Sequence, residues 1–515
     1  MSEQLALLPG YLTAHLQLTL FALLVGTAFS IPVGVLLTRR RWLEQPVLAV
    51  ASAIQTIPSL ALLAVMVPAL AAIGFRSIGF LPAFIGLVLY SILPILRGTV
   101  TGLETVDAAV VEAARSVGMT PGQRFRRVEF PLALPVIVAG IRTATVWTVG
   151  IATLSTPVGA PSLGNYIFSG LQTRNFTAVL VGSVAAAALA LFLDALVRAL
   201  GATILRRRQG WTAVILVVFA LLYAYTVVSF TRGVRGSDRG RVMVGAKTFT
   251  EQYILSHILS QQIRDLTGTP VEVVASLGST VAFDALRSGE IDVYVDYSGT
   301  IWATIMRRDT VPASRADVLA EVRRFLTERD GVEVVGALGF ENAYTLAMRR
   351  PQAERLGIVR IGDLARYAPR MVIGGDYEFF GRPEWAAIRE TYGLVFERLR
   401  TMDASLMYQA VVSGDVDVIS AFSTDGRIAA FDLKVLEDDR GAIPPYDSVI
   451  LAGPRLVHDR PEVIAVLRRL TGTIDAERMR RMNFAVDQNG ADPANVAEAF
   501  LRDLRAAKGN DVRYQ

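Results

Sequence analysis

The sequence predicts a multi-domain chain: an α-helical transmembrane bundle of six spans, followed by an α/β domain of two lobes. Three observations predict it. Apolar runs crowd residues 11–230 and then stop. Beyond residue 232, short apolar runs alternate with helical patterns, which indicates an α/β fold. Two passages in that second half repeat one another without a gap. Composition agrees. Of 515 residues, 52% are hydrophobic and mean hydropathy is +0.41, too apolar for a wholly soluble chain. A charged fraction of 19% is too high for a wholly embedded one.

A bilayer core of about 30 Å needs roughly 20 mostly apolar helical residues. Six segments qualify: Tyr11 to Leu37, Pro46 to Ile73, Phe80 to Leu96, Leu132 to Leu154, Ala178 to Leu200 and Trp211 to Phe230. The first is too long for a secretory signal and lacks a basic leader, so it reads as a retained helix. Arginines follow the first, third and fifth spans: Arg39 to Arg41; Arg97, Arg115, Arg124, Arg126 and Arg127; Arg198 and Arg206 to Arg208. If the spans alternate, all of these lie on one side, which the positive-inside rule makes cytoplasmic. Six crossings return the chain to its starting side, so both ends face outward. Arg232, Arg235, Arg239 and Arg241 run against this, but large domains are translocated with little regard to charge.

Several chemistries are excluded or disfavoured. The net charge of +5 is scattered or set beside apolar runs, not interleaved with aromatics, which argues against a nucleic-acid partner. With no cysteine there are no disulfides, thiolate metal sites or lipid-modified N-terminal Cys. His15, His257 and His458 lie far apart, so no metal ligation is expected. Gly240 and Gly245 have the glycine interval of a phosphate-binding loop, but Ala246 precedes Lys247-Thr248 and the motif fails by one residue. No nucleophile, base and orienter set appears, so the chain is not expected to be an enzyme.

The loop between the third and fourth spans carries Glu112-Ala113-Ala114, then Gly118, then Val128, Phe130 and Pro131. Physically this is two short helices joined at a glycine. Val110 to Arg115 forms helix readily, Gly118 permits positive φ, and Pro121 opens the next helix. The spacing resembles the coupling signature of bacterial ABC importer permeases, where the helix docks on a cytoplasmic ATPase. The resemblance implies ATP hydrolysis by a separate subunit present in two copies, with no cofactor bound by this chain. It also implies a homodimer, because such importers need two membrane halves.

Residues 231–241 have linker composition, polar and glycine-rich. Val242-Met243-Val244 then reads as a strand, with a helix from about Tyr253 to Thr267. Further strands are expected at Val271 to Ala275, Ile291 to Val295, Met371 to Gly374 and Val416 to Ser420. The repeated passages, Ser288 to Thr300 and Ser413 to Asp425, each end a helix at Ser-Gly, run into a buried strand, and place an aromatic at its C-terminal end. Ligands bind at that end of open α/β sheets, so two lobes sharing one cleft are expected.

This half resembles the binding proteins for glycine betaine, carnitine and choline, which are periplasmic-binding-protein-like domains of type II, and the fusion resembles the osmoprotection-type importers. The resemblance rests on Lys247 to Gln252, Asp296 to Thr300, Glu341 to Tyr344 and Ser423 to Arg427. It implies an aromatic cage for a cationic or zwitterionic solute, with Tyr297, Tyr344, Phe422 and Tyr408 as rings and Gln252, Thr300, Asn342 and Thr424 as polar contacts. A quaternary ammonium cannot donate a hydrogen bond, and ring faces hold it at about 0.5 to 2 kcal/mol each. Phe422 departs from the tyrosine usual there and loses a hydroxyl, while Phe379, Phe380 and Trp385 are expected to be structural. The division that follows is a permease domain at 1–210 with its coupling loop at about 105–131, a sixth span and tether at 211–230, a linker at 231–241, and an external binding domain at 242–508. The ATPase-coupling residues are Glu112, Ala113, Ala114, Gly118 and Pro131. Two alternatives stay open: an importer of another small solute, such as an amino acid clamped by Asp376 and Arg382 or ergothioneine, and a membrane-anchored receptor.

Overall fold

A computed structural model of the chain describes residues 2–173, 175–237, 240–308 and 314–511. The chain divides into two compact units near residue 239.

The first unit is helical: α1 (Ser2–Arg39), α2 (Arg41–Thr56), α3 (Ser59–Ala72), α4 (Phe80–Glu104), α5 (Ala108–Ser116), α6 (Pro121–Arg124), α7 (Phe130–Ala152), α8 (Gly164–Gln172), α9 (Phe176–Leu205) and α10 (Gln209–Ser237). Among the described residues, five stretches are long and apolar enough to cross a membrane: Leu7–Arg39, Phe80–Glu104, Pro121–Val158, Phe176–Leu205 and Gln209–Thr231. The expected second span is not one rod, because α2 and α3 meet at 98°. Pro58 is the cause: it disfavours the helical region for the residue before it, and Ile57 is extended with ψ 127°. At 1.5 Å per residue these two helices are roughly 24 and 21 Å long, each short of the hydrocarbon core. The sixth crossing therefore exists only if the bent pair counts as one. The linker expected at 231–241 also differs, since α10 continues to Ser237.

Leu23 of α1, Ile95 of α4 and Ala144 of α7 share one buried cluster. Helices α4 and α7 approach through glycine. A Cβ on Gly140 would stand 2.6 Å from the Pro94 carbonyl oxygen, and one on Gly98 3.0 Å from the Gly140 Cα. In lipid, where burial of apolar surface gives helices no drive to associate, such backbone proximity supplies the packing. A charge pair joins α7 to α9: Arg142 Nε and Nη2 bond Asp194 Oδ1 and Oδ2 at 2.7 and 3.1 Å. His15 is fully buried, accepting from the Leu163 amide at Nδ1 and bonding the Val149 carbonyl through Nε2. It braces the bundle.

Among the described residues the second unit holds two five-stranded sheets. The first has the order β2-β1-β3-β10-β4, from β1 (Val242–Lys247), β2 (Val271–Leu277), β3 (Val293–Tyr297), β4 (Glu333–Glu341) and β10 (Asp447–Ala452). The second has the order β7-β6-β8-β5-β9, from β5 (Tyr344–Arg349), β6 (Val372–Gly375), β7 (Arg398–Thr401), β8 (Val418–Phe422) and β9 (Leu433–Val435). The two orders match position by position, with β3 and β8 central. Each is parallel to one neighbour and antiparallel to the other. The sequence repeat is therefore a structural one. Its shared aspartates do the same work in both lobes: Asp292 Oδ2 accepts from the Met243 amide at 2.8 Å and Asp417 Oδ2 from the Val372 amide at 2.9 Å, each tying the start of one strand to its neighbour. Gly289 and Gly414, at φ 76° and 86°, end the preceding helices where a side chain would be strained. The chain passes between the lobes after β4 and again before β10.

Candidate functional site

The two central strands end at the same cleft. Tyr297 closes β3 and Phe422 closes β8, and Tyr344 opens β5 directly opposite Phe422 in the antiparallel register. The cleft holds a cavity of about 300 Å³ whose lining includes Phe249, Tyr297, Tyr344, Tyr377, Phe422 and Tyr446. Tyr344 lies 4.8 Å from Phe422 and 6.1 Å from Tyr446 between ring centroids, and Tyr297 stacks on Phe249 at 6.2 Å. Phe379 and Trp385, both buried, back the wall, with Phe379 at 5.4 Å from Tyr344.

The polar part of the site is organised by a carboxylate that sequence reasoning missed. Glu251 is 2% exposed and accepts four hydrogen bonds. Oε1 takes the Tyr297 hydroxyl at 2.5 Å and Asn342 Nδ2 at 3.0 Å. Oε2 takes Thr424 Oγ1 at 2.6 Å and Asn483 Nδ2 at 3.1 Å. These donors come from strand β3, from the passage between β4 and β5, from the segment after β8 and from the helix Ala476–Asp487, so one buried group ties the lobes together. Burial pushes the Glu251 carboxyl above its usual range, against the pull of its four donors. Burial first, and then the Glu251 charge, raises the Tyr297 hydroxyl well above the phenol range. Burial also raises Asp376, partly offset by the Glu378 and Phe379 amides that donate to its Oδ1.

Of the expected contacts, Tyr297, Tyr344, Phe422, Thr300, Asn342 and Thr424 line the cavity. Two do not. Tyr408 is fully buried in the second lobe's core with Met407 and Val411, on the inner face of the helix Ala404–Ser413. Its hydroxyl accepts from the Phe422 amide at 3.4 Å, and its ring already faces a cation, the Arg427 guanidinium at 4.1 Å. Gln252, 1% exposed, sits behind Tyr297 and donates to its hydroxyl at 3.0 Å. Both position a cage ring from behind.

The charges in the lining are unequal. Six carboxylates (Glu251, Asp376, Glu378, Asp403, Asp425, Asp487) face three cations (Lys247, Arg382, Arg427), a formal excess of three negative charges. Asp376 and Arg382, the expected clamp, both line the cavity, and Arg382 is paired with Glu384 at 3.0 Å and Glu378 at 3.2 Å. A concave, ring-lined and acidic cleft suits an organic cation.

The loop between α4 and α7 forms a second surface. Asp107 caps α5, accepting from the Ala109 amide at 2.8 Å, and Gly118 turns the chain at φ 81°. Thr120 and Gln123 then form a capping box around Pro121, the first residue of α6. Glu112, Ala113, Gly118 and Pro131 are exposed and Ala114 is buried.

Comparison with known proteins matches both halves. Residues 240–503 match the substrate binding domain of ABC-type glycine betaine transport systems. Residues 30–208 match the inner membrane component of binding-protein-dependent transport systems. The ergothioneine transport permease/ergothioneine binding protein of Helicobacter pylori is 30% identical over 491 residues, covering 92% of this chain and 86% of its own. A carnitine transport binding protein of Listeria monocytogenes is 30% identical over 54% of this chain and 92% of its own. An osmoprotectant import permease of Salmonella typhimurium is 41% identical over 36% of this chain and 87% of its own. These are transport permeases and binding proteins, not enzymes, and the family implies a small solute and an ATPase partner. The chain belongs to the osmoprotectant-type ABC importers, as a permease fused to its own substrate-binding domain.

Proposed function

We propose that the chain imports a quaternary ammonium solute of the glycine betaine, choline or carnitine type, captured by the aromatic cleft outside the membrane. The observation that carries the reading is the convergence of Tyr297, Tyr344 and Phe422 on one cavity with an acidic lining. Ring faces supply attraction to a cation that offers no hydrogen, and the excess carboxylate draws it in without a single fixed partner. Ergothioneine, named for the Helicobacter relative, carries a trimethylammonium group as well and suits the same rings. An amino acid is less well served, since the cleft guanidinium that would clamp its carboxylate is already engaged.

In this reading the domain lies outside, with the bent pair α2 and α3 counted as one crossing. Two copies of the chain form the channel, and two ATPase subunits bind the exposed faces of Glu112, Ala113 and Gly118. Pro131 lies in the first turn of α7, the helix that carries their closure into the bundle. Ligand closes the two lobes, the closed domain docks on the outer mouth, and ATP-driven closure opens the channel outward. Residues 211–230 serve as a tether. Titration with glycine betaine, choline, carnitine and ergothioneine, followed by the fluorescence of Trp302 and Trp385, tests the cage. Saturable binding of at least one is expected, and failure of all four overturns the assignment.

A further inference from the structure

The rings account for one end of the solute, and the polar groups around the same cavity say what the other end must be. The three cations in the lining are each committed. Lys247 Nζ bonds Asp296 Oδ1 at 2.5 Å, with both side chains at most 3% exposed. Arg382 is held by Glu384, Glu378 and the Tyr446 hydroxyl. Arg427 meets both oxygens of Asp425 at 2.5 to 3.1 Å. A solute carboxylate entering the cleft would meet no cation whose charge is not already shared with a protein carboxylate.

The acceptors are in the opposite state. Asn342 Oδ1, Asn483 Oδ1 and Asp376 Oδ2 are buried and have no hydrogen-bond partner among the described residues. All three residues line the cavity and are more than nine-tenths buried. Their orientation is set by the network. As a carboxylate Glu251 only accepts, and both amide NH2 groups turn toward it with the amide oxygens away. Asn483 Nδ2 is held further by the Thr424 carbonyl at 2.9 Å. On Asp376, Oδ1 takes two backbone amides and Oδ2 takes none. Thr248, Ser279 and Thr300 also line the cavity, but a hydroxyl donates or accepts and does not discriminate.

Buried acceptors without a donor are uncommon and carry a desolvation cost that a ligand's O–H or N–H would remove, whereas a carboxylate would add lone pairs facing lone pairs. We infer that the cleft selects a quaternary ammonium solute whose far end donates hydrogen bonds, an alcohol or an azole N–H, over one that ends only in a carboxylate, with Asn342, Asn483 and Asp376 making the choice. This rests on the quaternary ammonium reading above. A site built to accept from a ligand hydroxyl rejects the analogue lacking it strongly, because its own groups are then left unpaired.

The test is calorimetric titration of the full chain in lipid nanodiscs with choline, choline O-methyl ether and glycine betaine. Choline carries the donor, the ether keeps the cation and shape without it, and glycine betaine replaces it by a carboxylate. Choline is expected to bind at least tenfold more tightly than either. Asp376→Asn keeps the backbone contacts while turning the free acceptor into a donor, so it should narrow the choline to glycine betaine ratio at least threefold. Equal affinity for choline and its ether, or glycine betaine binding as tightly as choline, overturns the inference and leaves the cage standing. Binding of none of the three overturns the inference, and if carnitine and ergothioneine fail as well the cage falls with it. If Asp376→Asn does not fold, the comparison on the unsubstituted chain decides.

Discussion

Tyr297→Phe separates the two tasks of one cage residue. The ring faces the cavity, while the hydroxyl donates to Glu251 at 2.5 Å and accepts from Gln252 at 3.0 Å. Phenylalanine keeps the ring and deletes both bonds. A hydrogen bond to a charged group contributes about 1.5 to 3 kcal/mol, and stranding the buried Gln252 amide costs about 1 to 3 kcal/mol. Allowing for partial relaxation, the loss should be about 3 kcal/mol. At about 2 to 4 °C per kcal/mol for a domain of this size, Tm should fall by about 6 to 12 °C. The measurement is urea and thermal unfolding of residues 242–508. The Listeria relative supports using the domain alone, being a binding protein that aligns over 92% of its length with 54% of this chain. Affinity for the solute should weaken less than about threefold, since the ring face survives. Unchanged stability together with a tenfold loss of binding would refute the reasoning, because the hydroxyl would then be a ligand contact and not a brace.

Tyr344→Leu should weaken binding by roughly 2- to 30-fold, the equivalent of about 0.5 to 2 kcal/mol of cation–π attraction. Tyr408→Phe should leave affinity within about twofold, because that ring lies in the core against Arg427. A tenfold loss in the same titration would return Tyr408 to the cleft. Glu251 gives a pH signature. Its folded carboxyl is raised, so the folded state holds the proton to higher pH and this contribution is complete below the unfolded value of about 4.3. It then fades as pH rises through the folded value. The stability of the unsubstituted domain relative to Glu251→Gln should therefore decline with rising pH above about 4.3, and a difference flat from pH 4 to 8 would contradict it. In the bundle, Gly140→Val sets a side chain against the Pro94 carbonyl and should lower the Tm of the detergent-solubilised chain, whereas Gly150→Ala, with nothing within 4 Å of the new Cβ, should not.

Periodic features were legible in the sequence. The apolar runs located the helices, the Ser-Gly punctuated repeat located the central strands, and an aromatic at the end of each pointed to the cleft. Features that depend on pairing across the fold were not. Glu251 stands next to Gln252 in the first turn of a helix, and nothing local says that it, rather than its neighbour, is the hub. Its donors Thr424 and Asn483 lie more than 170 residues away. Tyr408, expected as a ring from the resemblance, lies in the core, and nothing local in the sequence tells a ring facing a cavity from one facing the core, since the helix phase decides. The break at Pro58 was hidden by continuous apolarity on both sides, although the proline that causes it stands in plain view. That break matters most, because the side on which the binding domain lies depends on the parity of the crossings.

The chain has no cysteine, so single reporters can be placed without background. Val117→Cys on the loop after α5 and Val395→Cys on the second lobe, at exposed positions, should be treated with a membrane-impermeant maleimide in spheroplasts. The account predicts labelling at 395 in intact spheroplasts and at 117 only after permeabilisation. Labelling of both positions, or of neither, before permeabilisation would put the cleft and the coupling loop on one face of the membrane and contradict it.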